Sequence, residues 1–257
     1  MVKQQKNIVP VILDVTKEAE IKSAVGQISD RLTKDGLKLV GLVNNAGYNE
    51  YSVLELVSLD RLRKQFEVNV FGHVAVTQAV LPLLRSHGNQ KHGPRVVNIT
   101  SVLGLMSLPG FGPYAATKHA MEAIGDSLRM ELQSWGIHVV TIQPGSIKTN
   151  FDVVTKETHA ENVLGEPAAS SQSSEAVVKA YQNFTTSTLE NQAVIQKLAA
   201  TTSVTNEAIE ASLLDARPQF RYKAGFDSKY LLPFFVLPLP HIIRDRVFAR
   251  FFRKLKN

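Results

Sequence analysis

The sequence predicts a doubly wound α/β fold built on a parallel β-sheet. Short β-branched apolar runs alternate with longer stretches of helical periodicity, the pattern of successive βαβ units. The runs are apolar at nearly every position, as in strands buried on both faces. The chain has 257 residues, 44% hydrophobic and 20% charged, enough for one large domain with a substantial core.

Residues 9–15 (VPVILDV) read as the first buried strand. After Thr16, residues 17–32 place Ala19, Ile21, Ala24, Val25 and Ile28 at roughly helical spacing. Residues 39–43 read as a second strand, ending in Asn44-Asn45-Ala46-Gly47. A long helix is expected over 58–86, with Ser58 as N-cap and Pro82 bending or ending it. Residues 95–100 (RVVNIT) give the third strand, and 114–135 a helix that Gly136 stops. Residues 137–143 give the fourth strand, closed by Pro144-Gly145. Residues 150–175 read as polar loop, 175–198 and 205–214 as helices, and 220–225 as a last strand. One domain over 1–257 is expected, without internal repeats.

Composition narrows the function. The chain has no cysteine, which excludes disulfides and cysteine-based zinc or redox chemistry. The net charge is +6, but part of it sits in residues 244–257, so a basic tail and no nucleic-acid surface is expected. The start, MVKQQKNIVPVILDV, is not a signal peptide, and no stretch reads as long enough to span a bilayer. A cytoplasmic location follows, with membrane association as a further expectation. The seven histidines show no metal-ligand spacing. Asn98-Ile99-Thr100 and Asn183-Phe184-Thr185 match the glycosylation pattern, the first inside a strand expected to be buried.

Tyr114 and Lys118 stand four apart on one helix and share a face. A free phenol ionises near pH ~10, too high for a proton acceptor at neutral pH. An ammonium at ~4 Å and an effective dielectric of ~20 contributes on the order of 4 kcal/mol to the phenolate. That would lower the tyrosine pKa by roughly 3. Ser101 directly follows the third strand, at the carboxyl end that faces the ligand crevice in such sheets. Its hydroxyl can hydrogen-bond a substrate oxygen as charge develops there. A lone Tyr-x-x-x-Lys means little. The ordered set of Asn-Asn-Ala-Gly, Asn69, Ser101, Tyr-x-x-x-Lys and Pro-Gly, each in register with a strand end or helix, means much more.

These segments resemble the classical short-chain dehydrogenases/reductases over nearly the whole length. LVNNAG at 42–47, FEVNVFG at 66–72, NITSVLG at 98–104, YAATK at 114–118, PGSIKT at 144–149 and LDVT at 13–16 carry the resemblance. It implies a Rossmann-like fold and an NAD or NADP cofactor. It also implies hydride exchange between an alcohol or carbonyl, primary or secondary, and the nicotinamide. Asn69, Ser101, Tyr114 and Lys118 take the family's catalytic roles: Tyr114 exchanges the proton, Lys118 assists it and binds ribose, Ser101 orients the substrate oxygen, and Asn69 holds a water linking Lys118 to solvent. The resemblance places Asn45, Ala46 and Gly47 along the cofactor, and Pro144, Gly145, Ile147 and Thr149 at its nicotinamide half. Asp14 and Val15 would lie near the adenine. RYKAGFDSK at 221–229 looks most like the retinol, hydroxysteroid and hydroxybutyrate branch, which implies a small, lipid-like substrate. A homo-oligomer is implied by resemblance alone.

One departure qualifies this. The family's first two strands and its Thr-Gly-x-x-x-Gly-x-Gly turn have no counterpart, since the first glycine is Gly26, inside a helix. That turn holds the cofactor pyrophosphate at a helix N-terminus. An N-terminally truncated version of the fold with weak dinucleotide binding is expected. The chain is either a fragment or a short form, and either an oxidoreductase or a catalytically impaired scaffold. The missing strands would lie between residues 9–15 and 39–43, which then pair directly or leave an exposed sheet edge. The 150–217 region is the expected substrate lid. Residues 230–257, apolar and then basic and amphipathic, are expected to form a lid over the substrate pocket or a dimer contact, or else to contact a membrane surface.

Overall fold

Four of the apolar runs become strands and line up in sequence order. The computed structural model describes residues 8–86, 92–149 and 199–231, together with Phe151, Lys179 and Tyr181. Strands β1 (Gly41–Asn44), β2 (Arg95–Ile99), β3 (His138–Pro144) and β4 (Arg221–Ala224) form a parallel sheet in the order β1-β2-β3-β4. Gly41 pairs with Arg95, Arg95 with His138, and Thr141 with Arg221. All strands run the same way, so their carboxyl ends share one edge, and the loops that follow them converge there.

The strands alternate their side chains between two helical layers, which makes the sheet doubly wound. Val96 and Val139 pack with Ile21 of α1 (Glu18–Asp35) and with Val76, Val80 and Leu84 of the long helix over 59–85. Val97, Ile99, Val140 and Ile142 face the opposite way, toward Ala208 of the helix Ser203–Leu214. Each such aliphatic side chain contributes about 1.5–3 kcal/mol on full burial.

The long helix is α2 (Leu59–Phe66), a π-helical turn Glu67–Gly72 and α3 (His73–Arg85), joined without a break. Ser58 caps it as expected, its Oγ accepting the Arg61 amide at 3.2 Å. Pro82 does not end it. It stands in the last turn, where one missing N–H is offset by the buried Leu81 and Leu84. The run Leu59–Arg85 is, by length and composition, long and apolar enough to cross a membrane, which corrects the expectation that no stretch is. Half of its apolar window is buried in the fold. Helix α4 (Gly112–Glu131) begins with Pro113 in its first turn, and Gly136, at φ 64°, ends the short 3₁₀ turn Gln133–Trp135 that follows. The last described helix, α5, is Ser203–Leu214.

Residues 9–15 are not a strand. They carry the composition of one, but among the described residues they pair with no neighbour, either β1 or another, and Pro10 lacks a donor. Ile8, Val9 and Ile12 are exposed, Ile12 by 91%. Val15 docks against Gly72, where a Cβ would stand 2.7 Å from Val15 Cγ2. The expected helix at 175–198, Asn183, most of the 150–217 region and the tail beyond 231 lie outside the described residues.

Candidate active site

β2 delivers Ser101 to the carboxyl edge of the sheet. The serine Oγ accepts the Leu103 amide at 3.2 Å and so starts a 3₁₀ turn, Val102–Gly104. That turn lies on α4. A Cβ on Gly104 would stand 3.0 Å from the Lys118 carbonyl oxygen, so glycine permits the close approach. α4 presents Tyr114 and Lys118 one turn apart, and the Ser101 hydroxyl stands close enough to the Tyr114 phenol to favour its ionised form. Ser101, Tyr114 and Lys118 are all buried, and Asn69 is fully so. The structure thus brings together all four residues in which the sequence placed catalysis.

The electrostatics differ from the expectation. Lys118 was to lower the Tyr114 pKa, but burial pushes the Tyr114 phenol up to about 12, opposed only by the neighbouring Ser101 side chain. Lys118 Nζ sits 5.5 Å from the centre of the tyrosine ring and donates to the Ile99 carbonyl at 2.9 Å. Its own pKa is pushed down to about 8 by burial. No attraction from Lys118 offsets the burial of Tyr114: the ammonium lies over the ring and donates to a backbone carbonyl. At neutral pH Tyr114 is a phenol, poised as a proton donor.

Asn69 lies in the π-helical turn, and its side chain is engaged with the protein on every side. Its Oδ1 accepts the Tyr48 amide at 3.1 Å. Its Nδ2 donates to the Tyr48 carbonyl at 3.0 Å and to Thr117 Oγ1 at 3.1 Å. Thr117 in turn donates to the Tyr114 carbonyl at 2.7 Å. Both amide hydrogens are used, so the side chain acts first as a clamp between the β1 loop and α4.

Asn45, Ala46 and Gly47 are exposed directly after β1. His73 Nε2 holds the Ala46 carbonyl at 2.6 Å. A Cβ on Gly47 would lie 3.1 Å from Asn69 Oδ1 and 3.8 Å from Lys118 Nζ, which puts this loop beside the catalytic lysine. After β3, Pro144 and Gly145 are half-buried, Ile147 bridges to Ala200, and Thr149 is exposed. Asp14 and Val15 lie apart from the Ser101–Tyr114 pair. The Asp14 carboxylate accepts from the Thr16 amide and hydroxyl and stands 3.4 Å from Lys17 Nζ, so it is held locally.

Sequence reasoning missed several residues that shape this site. Glu122, buried one turn beyond Lys118, accepts from Thr100 Oγ1 at 2.7 Å, Gln143 Nε2 at 2.9 Å and Arg221 Nε at 3.1 Å. Its i,i+4 spacing from Lys118 was a readable signal; its partners on three strands were not. Around Tyr114 gather Leu103, Phe111 and Tyr51, with Val102, Met106 and Leu108 beside them. Phe151 meets the Tyr114 ring edge-on at 5.5 Å.

The family model described as short chain dehydrogenase matches residues 1–160. Over 237 residues, 90% of this chain and 69% of the relative, the sequence is 36% identical to retinol dehydrogenase 7 of Mus musculus. Over 141 residues, 55% of this chain, it is 43% identical to an NADPH-dependent 3-dehydrocapnine reductase of Ornithobacterium rhinotracheale, of which it spans 49%. The crystal structure of a short-chain dehydrogenase from Streptomyces avermitilis matches with a TM-score of 0.62 at 27% identity, covering 95% of this chain and 77% of that one. With a matching sequence and a matching doubly wound sheet, the chain belongs to the short-chain dehydrogenase family of NAD(P)-dependent oxidoreductases.

Proposed function

We propose that the chain interconverts an apolar alcohol and its carbonyl compound, with Tyr114 as the acid/base. The observation that carries this reading is the burial of Ser101 and Tyr114 beside each other at the sheet's carboxyl edge, with Lys118 beneath the tyrosine ring. A carbonyl oxygen placed against both hydroxyls would receive two hydrogen bonds as negative charge grows on it. Tyr114, protonated at neutral pH, then gives its proton to that oxygen. In the oxidative direction the same phenol must first lose its proton, which its raised pKa opposes, so oxidation improves as pH rises. The apolar wall of Leu103, Phe111 and Phe151 favours a hydrocarbon body on the substrate over a sugar or an acid. The name of the retinol dehydrogenase relative points the same way.

The residues fit the nicotinamide half of the cofactor. The bare Gly47 backbone leaves the loop after β1 open beside Lys118. Asn45, Ala46, Gly47, Tyr114 and Lys118, with Pro144, Gly145, Ile147 and Thr149 across the edge, would hold that half. The cofactor supplies or accepts the hydride. Residues 1–25 contain no glycine, so the pyrophosphate finds no glycine turn among them.

The test is turnover of the purified chain with NADPH or NADH and a series of apolar aldehydes and ketones, including retinaldehyde. Tyr114→Phe removes the hydroxyl with its transferable proton and is expected to lower kcat by about 10²–10⁴. Equal turnover in the two proteins would overturn the assignment of Tyr114.

A further inference from the structure

The segment from Ala224 to Lys229 has no part in the site described so far, yet it closes on the loop after β3. β4 ends at Ala224, whose carbonyl accepts the Gly145 amide at 2.8 Å. Gly225, at φ 99°, turns the chain, and Asp227 opens a short π-helical turn, Asp227–Leu231. Asp227 Oδ2 accepts the Ser146 amide at 2.6 Å, and Oδ1 accepts the Ser228 amide at 2.9 Å. Ser228 is fully buried and donates its hydroxyl to the Gln143 carbonyl at 2.6 Å. Gln143, Gly145 and Ser146 are therefore each tied to the 224–228 turn. Gly145 admits no side chain, because a Cβ there would overlap the Asp227 carboxylate.

We infer that Asp227 is a positioning residue that fixes the Pro144–Thr149 loop against the cofactor's nicotinamide half. That the loop faces the nicotinamide rests on the proposed function; that Asp227 fixes it rests on these contacts. A carboxylate that accepts backbone amides makes charge-assisted bonds, about twice as strong as neutral ones. The loop's other side is held by Ala200, whose amide donates to the Ser146 carbonyl at 3.0 Å and whose carbonyl accepts the Lys148 amide at 2.9 Å. Removing Asp227 frees one side of the loop and leaves the β3–β4 ladder from Thr141 to Pro144 in place. The effect is therefore local.

Asp227→Ala and Asp227→Asn in the full chain test this by two readouts. Amide hydrogen exchange needs no cofactor. In Asp227→Ala, exchange over 144–149 is expected to speed up by about tenfold, with protection of β2 unchanged. Asp227→Asn keeps one carbonyl acceptor and should fall between the two proteins. In turnover, the cofactor KM should rise by about tenfold while the substrate KM moves by less than about twofold. Unchanged exchange at 144–149 overturns the inference, and so does protection lost equally across the whole sheet. A faster loop with an unchanged cofactor KM also overturns it, because the loop would then not be what positions the cofactor. If the unaltered chain neither binds nor turns over cofactor, the proposed function fails, and the exchange result alone decides whether Asp227 fixes the loop.

Discussion

Burial shifts the ionisable groups around the site in directions that pH can read, and His73 gives the cleanest case. It is 1% exposed, and its Nε2 is bound to the Ala46 carbonyl, while its Nδ1 has no hydrogen-bond partner among the described residues. Burial, aided by the charge of Lys118, pushes its pKa down to about 4 from 6.5. Between those values the unfolded chain binds a proton that the folded one refuses, so stability falls as pH falls through that window. The loss is expected to approach about 3 kcal/mol at its acid end. Urea unfolding at pH 7 and pH 4.5 should show that difference in the unaltered chain, and a much smaller one in His73→Gln. An equal pH dependence in the two proteins would place the acid-sensitive group elsewhere.

At the scale of elements, one carboxylate fastens α4 to three strand ends. Glu122 takes hydrogen bonds from Thr100 after β2, Gln143 of β3 and Arg221 of β4, and Arg221 also pairs with Asp126 at 2.6 Å. Gly125 completes the fit, since a Cβ there would press to 3.0 Å on Thr141 Cγ2. Glu122→Ala leaves the buried Gln143 amide without its acceptor, while Thr100 keeps the Ile142 carbonyl and Arg221 keeps Asp126, and is expected to cost about 2 kcal/mol. Glu122→Gln keeps one acceptor and should cost less. The urea midpoints of the two variants check this; equal midpoints for Ala and Gln would mean that the bonds, not only the charge, contribute nothing. This fastening also shows what a sequence hides. Ser101, Tyr114 and Lys118 were legible because local rules place them: a strand end, then one turn of one helix. The partners of Glu122 come from Thr100 after β2, from β3 and from β4, and Asp227 meets Ser146 of the loop after β3; only folding brings these within reach. The Tyr114 pKa was misread for the same reason. Spacing places Lys118 near the ring, but not the Ile99 carbonyl that holds its ammonium.

For the whole molecule, the sheet's β1 side is where sequence and structure part most. Residues 9–15 have the β-branched composition of a buried strand, but a strand is made by its neighbours, and among the described residues neither they nor the outer edge of β1 has one. The result is an apolar border: Val9 is 62% exposed, Ile12 91%, Leu37 60% and Val40 60%. Unpaired edges and apolar strips of this kind are what folded proteins ordinarily cover or charge, because they template association between chains. Placing charge there should therefore cost the fold little, as these side chains bury little, and should reduce self-association. The double variant Ile12→Lys/Val40→Lys is expected to keep the urea midpoint within about 0.5 kcal/mol of the unaltered chain. Its light scattering should rise less steeply with protein concentration. Identical scattering from the two proteins would mean that this border is not the surface through which the molecules meet, and an unfolded variant would mean that the border packs against the fold more closely than its exposure indicates.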